Sequence, residues 1–412
     1  MRSALFIVLF ACFLVGCAPY SNSFAKIENG LKAGDAQGAL SALESSSPAD
    51  RDRVLYELNR AMILQDLGRY KDSAAAFEAA KTLFQEYDAI SVSEQIGSSL
   101  INDSTISYFG ADFERVMASF YAAINYLLLG DLYGARVEIM QGDERLKAID
   151  AGEYQDDAAL RYLSGVVFEA LGENNNALVS YRQAYRVYKE GFFGVRIPNY
   201  LKNDLLRLSK KMGVAQEHNL YKSEFGLSGD FNAIGSTQGE LVAILGGGFA
   251  PIKRASDVMF SSAVGIIRIS IPRYELRLFA VPPPVLIDGV RADFELVESV
   301  AAIALETLKD DMPEIMARTA ARMIAKKGVE IAVGQTAGNN DAAAGVIARA
   351  IVNLFNATTE VADTRGWYTL PDSIYIARVR LNSGAHKVVI GTKEYNIEIR
   401  SGERTFLAPR LY

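Results

Sequence analysis

The stretch LSGVVFEALGENNNALVSYRQA, residues 163–184, decides the fold of the first half of the chain. Apolar residues recur in it at intervals of three and four, the period of a helix that buries one face. Gly172 separates two such segments, so the stretch predicts two antiparallel helices joined by a glycine turn. Phe168 and Tyr181 fill the space between these helices. Small residues allow the close approach: Gly165, Ala177 and Ala184.

Similar units recur upstream, each centred on a turn glycine. Gly34 and Gly68 stand 34 residues apart, whereas the intervals to Gly130 and Gly172 are longer. An insertion near residues 84–113 interrupts the series, and helices at 203–212 and 214–225 close it. These units resemble the tetratricopeptide repeat consensus. The resemblance implies a solenoid of helical hairpins that binds a peptide or partner surface on its concave face, or alternatively a spacer.

The N terminus has the features of a secretory signal. Arg2 precedes an apolar run over residues 4–15 that is too short to span a membrane, and Leu14-Val15-Gly16-Cys17 ends the run. This tetrapeptide resembles the lipobox of bacterial lipoproteins. The resemblance implies removal of residues 1–16 and acylation of Cys17, for example with palmitate, and several acyl chains anchor a protein stably. Because Ala18 replaces the Asp of inner-membrane retention signals, we expect the periplasmic face of a Gram-negative outer membrane.

Composition excludes several classes of function. The formal net charge is −6, and it becomes −7 without Arg2, so the protein is a poor candidate for binding nucleic acid. Cys12 leaves with the signal peptide and Cys17 carries lipid, which leaves no thiol for a disulfide or a nucleophile. The only histidines, His218 and His386, have no metal-ligand spacing around them. We therefore expect neither a metal nor a cofactor.

The second half alternates short β-branched runs with Gly- and Pro-rich turns. The predicted strands are residues 240–245, 264–270, 274–281, 285–287, 373–381, 386–390, 395–399 and 405–408. Their pattern predicts antiparallel sheets that form a β-sandwich. Gly246-Gly247-Gly248 lacks the Gly-Lys-Ser/Thr ending of a phosphate loop and is interpreted as a turn between strands.

Residues 293–359 separate the two strand groups and are apolar at helical spacing, which predicts two or three helices. Within them, residues 329–355 form a small-residue stretch that is either a buried hairpin or loop, or a membrane-inserting hairpin. Its polar residues favour the buried or loop interpretation. The sequence therefore predicts an α+β chain with a signal peptide at 1–16 and a helical repeat domain at 17–227. A linker at 228–238 and a β-rich domain at 239–412 follow.

The segment ADTRGWYTLP, residues 362–371, contains the only tryptophan, Trp367. With the repeats, the Pro282-Pro283-Pro284 run and the strand groups, it resembles a family of tetratricopeptide-containing bacterial lipoproteins without an established activity. Ala-Asp-Thr-Arg-x-Trp-x-x-Leu-Pro is the most specific part of this resemblance, which covers nearly the whole mature chain. Asp363 and Arg365 are close enough for a charge-assisted hydrogen bond that makes the segment a structural latch. The alternative is a recognition site for a glycan or peptide, formed by Arg365 and Trp367.

Two functions remain open. The first is a scaffold or adaptor without catalysis, which binds a protein partner in a cell-envelope assembly. Its expected contact residues are Tyr162, Phe168 and Tyr181 in the last repeat, or Arg365 and Trp367. The second is a hydrolase of cell-wall or exopolysaccharide glycans that uses two carboxylates, whose separation the sequence does not fix.

Overall fold

The computed structural model describes residues 24–46, 48–89, 106–149, 152, 154–227, 235, 237–262, 265–277, 281–337 and 362–412. The predicted signal peptide and Cys17 lie outside the described residues, and so do most of the linker at 228–238 and the residues 338–359 of the predicted helical insert. None of the helices in the described ranges is long and apolar enough to cross a membrane.

Ten described α-helices precede the first strand, and they form five consecutive hairpins. They are α1 Ala25–Lys32, α2 Ala36–Glu44, α3 Arg53–Asp66, α4 Tyr70–Asp88, α5 Asp112–Leu128, α6 Leu132–Lys147, α7 Ala158–Ala170, α8 Asn174–Lys189, α9 Asn199–Lys211 and α10 Ala215–Phe225. Each hairpin packs against the next one. The first half of the chain is therefore a stack of helical hairpins, as the repeat pattern predicts.

A glycine with positive φ ends the first helix of every hairpin. Gly68 has φ +72° and Gly172 has φ +77°, and three other glycines adopt the same conformation: Gly34, Gly130 and Gly213. At Gly172 the glycine N–H donates to the carbonyl of Glu169 over 3.0 Å, and the N–H of Glu173 donates to the carbonyl of Phe168 over 2.8 Å. These bonds satisfy carbonyls that the end of a helix leaves unpaired.

In the α7–α8 hairpin, Gly165 of α7 lies directly against the ring of Tyr181 of α8. A Cβ atom at Gly165 would lie 2.2 Å from Cε1 of Tyr181, so only glycine allows this contact. Tyr181 is completely buried there. The small residue at position 165 therefore has the packing role that the sequence predicts.

The second half contains eleven described strands. They are β1 Gln238–Gly247, β2 Ile252–Ser262, β3 Gly265–Glu275, β4 Val285–Ile287, β5 Val290–Ala292, β6 Glu295–Ser299, β7 Ser373–Asn382, β8 Gly384–Ile390, β9 Lys393–Ile399, β10 Arg404–Leu407 and β11 Arg410–Leu411. A central sheet has the order β10-β1-β7-β6, with β11 also paired to β1. A second sheet has the order β5-β4-β8-β9.

The prediction of purely antiparallel sheets is wrong for the last two strands. In the central sheet β7 runs antiparallel to β1 and β6, but β10 and β11 run parallel to β1. The turn at residues 401–403 does not fold β10 back onto β9. It carries the chain from the second sheet to the central sheet, and local turn signals cannot distinguish these two outcomes.

Both faces of the central sheet are buried. On β1, Leu241 and Leu245 belong to a core that also contains residues of the second sheet, such as Val388. Val242 and Ile244, which alternate with them, belong to the core of the helical half. The central sheet is therefore a middle layer, with the second sheet on one face and the helices on the other.

Strands β2 and β3 form a separate two-stranded ribbon. The sequence pattern missed β2, which is rich in polar residues, and it divided β3 and the following residues into two strands at Pro272. In the structure Pro272 lies within β3 opposite Ala255. Proline is tolerated there because a two-stranded ribbon has open edges on which a strand needs no N–H donor.

Three further features of the second half differ from the prediction. The insert expected over residues 293–359 begins with a strand, β6, and its described helical part is one helix, α11, Val300–Ala337, with Pro313 inside it. Strand β5 was also missed. Gly246 and Gly247 do not form a turn but pair within β1 with β11, and only Gly248, at φ +62°, has a turn conformation.

Candidate functional site

Residues 362–371, the motif segment, cross the side of the helical stack formed by the first helices of the hairpins. Trp367 is 1% exposed and packs edge-on against Phe77 and Tyr121, with ring centroids 5.8 and 6.3 Å away. Its indole Nε1 donates to Oγ1 of Thr369 over 2.9 Å. The only tryptophan is therefore a core residue shared by the motif segment and the helices.

Polar side chains of the helices hold the backbone of the motif segment. Glu114 on α5 accepts the backbone N–H of Trp367 over 2.8 Å, and its other oxygen accepts the hydroxyl of Tyr108 over 2.5 Å. Asn59 on α3 accepts the backbone N–H and the hydroxyl of Thr369 over 3.2 and 2.9 Å. Glu114 and Asn59 are themselves buried. Sequence reasoning missed both, because a polar residue in a helix is usually solvated.

Arg365 connects three separate parts of the chain. It donates to both carboxylate oxygens of Asp363, so the hydrogen bond predicted between these residues is present. It also donates to Asp52 over 3.2 Å and to the carbonyl of Ile106 over 2.9 Å. Burial lowers the pKa of this guanidinium, but Asp363 and Asp52 outweigh burial and raise it. Arg365 is 4% exposed, and this geometry is that of a latch.

Tyr162 and Tyr181 lie in the interior, facing the central sheet. The hydroxyl of Tyr162 donates to Asp204 over 3.0 Å and accepts from Arg378 over 3.1 Å. The hydroxyl of Tyr181 donates to Glu169 over 3.0 Å. A partner could contact either residue only if the sheet moved away from the helices.

These tyrosines border a buried ionic network, which we call the interface network. It consists of three acids and three arginines from α7, α9, β1, β7 and β10: Glu169, Asp204, Arg207, Glu240, Arg378 and Arg404. Arg378 pairs with Asp204 on the helical side and with Glu240 on the sheet over 2.8 Å. Burial alone would raise the pKa of Glu240, but Arg378 and Arg404 lower it to about 2. The charges of the network balance, so helices and sheet are joined by compensated ion pairs.

The remaining candidate, Phe168, lies at the surface. It is half-buried, and the guanidinium of Arg136 lies 5.8 Å from the centre of its ring. Arg136 in turn pairs with Glu173 over 3.0 Å. The structure therefore does not bring the five candidate residues into one site.

A cleft of about 270 Å³ opens beside Arg365, between the motif segment, the β2–β3 ribbon and α11. Side chains of both charges line it, among them Lys253, Asp311 and Arg318. Burial raises the pKa of Asp311. Among the residues that the structure describes, no group of three His, Cys, Asp or Glu side chains is arranged to hold a metal ion.

A second open space, the outer groove, lies between α4 and α6 on the side of the stack away from the sheet. Its volume is about 600 Å³, and its lining includes Phe84, Val137 and Met140. Lys81 bridges the two helices, with Nζ 2.6 Å from both Glu138 Oε2 and Gln141 Oε1. The groove thus combines apolar side chains with charged ones, among them Asp88, which pairs with Arg115 and Arg145.

Comparisons with known proteins add a distant structural similarity. No protein-family model and no curated protein matches the sequence. A crystal structure of MamA is 15% identical and covers 48% of this chain and 91% of its own, with a TM-score of 0.33. The apo form of RapI is 14% identical over 54% of this chain and 56% of its own, with a TM-score of 0.38. BtubC from P. vanneervenii is 15% identical over 51% and 80%, with a TM-score of 0.33. Similarity at this level establishes neither a family nor a function.

Proposed function

We propose that the protein is a lipid-anchored scaffold on the periplasmic face of the outer membrane, where it binds a protein partner through the outer face of its helical half. The lipobox residues Leu14-Val15-Gly16-Cys17 support the anchor. The stacked hairpins support the binding role, because such stacks present long continuous surfaces.

Contacts on the inner side of the helical stack support a binding surface on its outer side. The sequence predicts a partner on the concave face of the stack. However, α3 and α5 contact the motif segment through Asn59 and Glu114, and α7 contacts the central sheet through Tyr162. The protein's own second half takes the place of a ligand there. These contacts favour a partner on another face of the folded protein.

The observation that carries the proposal is an apolar stripe on the outer face of α6. Tyr133, Val137 and Met140 are 73%, 51% and 44% exposed. They are spaced by four and three residues and therefore share one helix face. Val137 and Met140 also line the outer groove. Contiguous exposed apolar surface of this kind is typical of interaction sites, whereas single exposed apolar residues are common everywhere.

The hydrolase alternative has less support. Glycan cleavage needs two carboxyl groups that reach the substrate. Asp157 and Glu298 form a carboxyl pair, but both are completely buried. No geometry in the described residues favours hydrolysis over binding.

Site-specific photo-crosslinking in intact cells tests the scaffold proposal. A photoreactive phenylalanine analogue replaces Tyr133 or Val137, and a control places it at Arg400, whose side chain is 76% exposed on the β9–β10 turn. We expect a discrete protein adduct from positions 133 and 137 and none from position 400. Val137→Glu should prevent the adduct at position 133 without changing the melting temperature. No adduct at 133 or 137, or the same adducts from all three positions, would reject this surface.

A further inference from the structure

Two carboxyl groups are buried side by side where the helical half meets the central sheet. Asp157 is the N-cap residue of α7, and Glu298 lies on β6 opposite Ile374 of β7. Both side chains are 0% exposed. The pair belongs to neither the motif segment nor the interface network.

The two carboxyl groups differ in their hydrogen bonds. Asp157 accepts the backbone N–H of Leu160 over 2.6 Å and the hydroxyl of Tyr154 over 2.8 Å. These two hydrogen bonds stabilise its ionised form. Neither oxygen of Glu298 accepts a hydrogen bond with good geometry from any described donor. Its polar neighbours are the Asp157 carboxyl and the N–H of Ala159 in the first turn of α7. An ionised Glu298 would therefore be a poorly solvated charge beside a second negative charge.

A proton on Glu298 removes this conflict, because a protonated carboxyl can donate a hydrogen bond to the Asp157 carboxylate. We propose that Asp157 and Glu298 share one proton across the interface between α7 and β6, and that loss of this proton weakens the attachment of the central sheet to the helices. The Asp157–Glu298 pair would make the contact between the helical half and the central sheet depend on a proton. This proposal does not depend on which partner the protein binds.

The surrounding groups favour retention of the proton. Burial and Asp157 raise the pKa of Glu298 well above its usual 4.5, while the Ala159 N–H opposes them. Burial raises the pKa of Asp157 to about 6, although its hydrogen bonds act in the opposite direction. Among the described residues, the other titratable groups that face the pair include three tyrosines with raised pKa, Tyr121 on α5, Tyr154 before α7 and Tyr188 on α8. Asp156 also faces Asp157 and raises its pKa. None of the causes that act on Glu298 in the described part of the chain is a cation.

The direction of the pH dependence follows from these shifts. Above about pH 4.5 the unfolded chain has released the Glu298 proton, whereas the folded protein still holds it. The folded state then binds more protons, so the folding equilibrium constant falls as pH rises, by up to about tenfold per pH unit for one proton. The fall continues until the raised pKa of the folded state is reached.

Urea unfolding of the purified protein at pH 5, 6, 7 and 8 tests the proposal through Glu298→Gln. His386 also has a raised pKa, caused by the Asn382 carbonyl and Asp288, and its effect on stability has the same sign. All proteins in the series therefore carry His386→Asn. We expect the folding equilibrium constant of this parent to fall as pH rises. The fall per pH unit should be several-fold smaller in the Glu298→Gln variant. Glu86→Gln, at an exposed position on α4, should keep the slope of the parent.

Asp157→Asn provides a second, independent variant, since asparagine is still a good N-cap residue but cannot share the proton. It should reduce the pH slope by less than Glu298→Gln does, because burial still raises the pKa of Glu298. It provides the test if Glu298→Gln does not fold. Amide exchange on β6, corrected for its intrinsic pH dependence, should rise between pH 5 and pH 8 in the parent, less in Asp157→Asn and not in Glu298→Gln. An unchanged slope in both variants, or equal protection of β6 at the two pH values in the parent, would overturn the proposal.

Discussion

The backbone N–H of Trp367 donates to Oε1 of Glu114 over 2.8 Å, and this buried hydrogen bond joins the motif segment to helix α5. The same carboxylate accepts the hydroxyl of Tyr108 and the backbone N–H of Ala111. One side chain therefore satisfies three donors, two from the loop before α5 and one from the motif segment.

Glu114→Ala is predicted to lower the free energy of unfolding by about 3 kcal/mol, because it leaves buried donors without an acceptor. Urea unfolding followed by circular dichroism measures the loss. Glu86→Ala, at an exposed position on the neighbouring α4, is the control and should change stability by less than about 0.5 kcal/mol. Equal effects of the two changes would contradict the assigned role of Glu114.

Arg378→Ala is predicted to cost about 3–5 kcal/mol, because it leaves Asp204 and Glu240 as buried charges that have lost a shared partner. Arg380→Ala, two residues further along β7 at an exposed position, provides the matched control. If thermal and urea unfolding placed both variants close to the wild type, the interface network would contribute little to the attachment of the sheet.

Gly165→Ala should destabilise the protein more than Gly172→Ala. The added methyl group at position 165 meets the ring of Tyr181, and such overpacking costs about 1–3 kcal/mol. At Gly172 the space is open, so the cost of about 1–2 kcal/mol comes only from the left-handed backbone conformation. The methyl group at position 165 should also perturb the environment of Tyr181, detectable by near-UV circular dichroism. The reverse order of stabilities would contradict the packing described for α7 and α8.

Labelling of cells with a palmitate analogue tests the anchor. Wild-type protein should carry the label and partition into the detergent phase, and Cys17→Ser should remove the label or leave the precursor unprocessed. Unlabelled, soluble wild-type protein would reject lipidation. Because Cys17 lies outside the described residues, this prediction rests on the lipobox sequence alone.

Local sequence patterns were sufficient for the elements that depend on local interactions. The periodicity of residues 163–184 and the turn glycines predicted the hairpins, and alternation predicted most strands of the second half. Asp363 and Arg365 are two residues apart, so their hydrogen bond was also predictable. Strand β6 was missed because its five residues include two glutamates, and the burial of Glu298 comes from contacts with parts of the chain that are distant in sequence, such as α7.

These local patterns did not predict contacts between residues that are distant in the sequence. Arg378 meets Tyr162 across 216 positions of sequence, and no local pattern identifies either as the other's partner. One signal did exist: the consecutive apolar residues 241–245 are typical of a strand buried on both faces. That signal predicts a layer on each side of β1, and the helical half is one of these layers. Tyr162 and Tyr181 are therefore interior residues, although aromatic residues at these repeat positions can equally line an open groove.

The helical half and the central sheet should unfold as one unit, because the sheet and the motif segment pack against one side of the helical stack and share its core. Trp367, the only tryptophan, reports on that contact, while circular dichroism at 222 nm reports mainly on the helices. Urea unfolding of the purified protein should give two curves with the same midpoint and slope. A change in Trp367 fluorescence at a urea concentration where the helical signal is still intact would contradict the claim, since it would mean that the sheet separates from a helical stack that is stable alone.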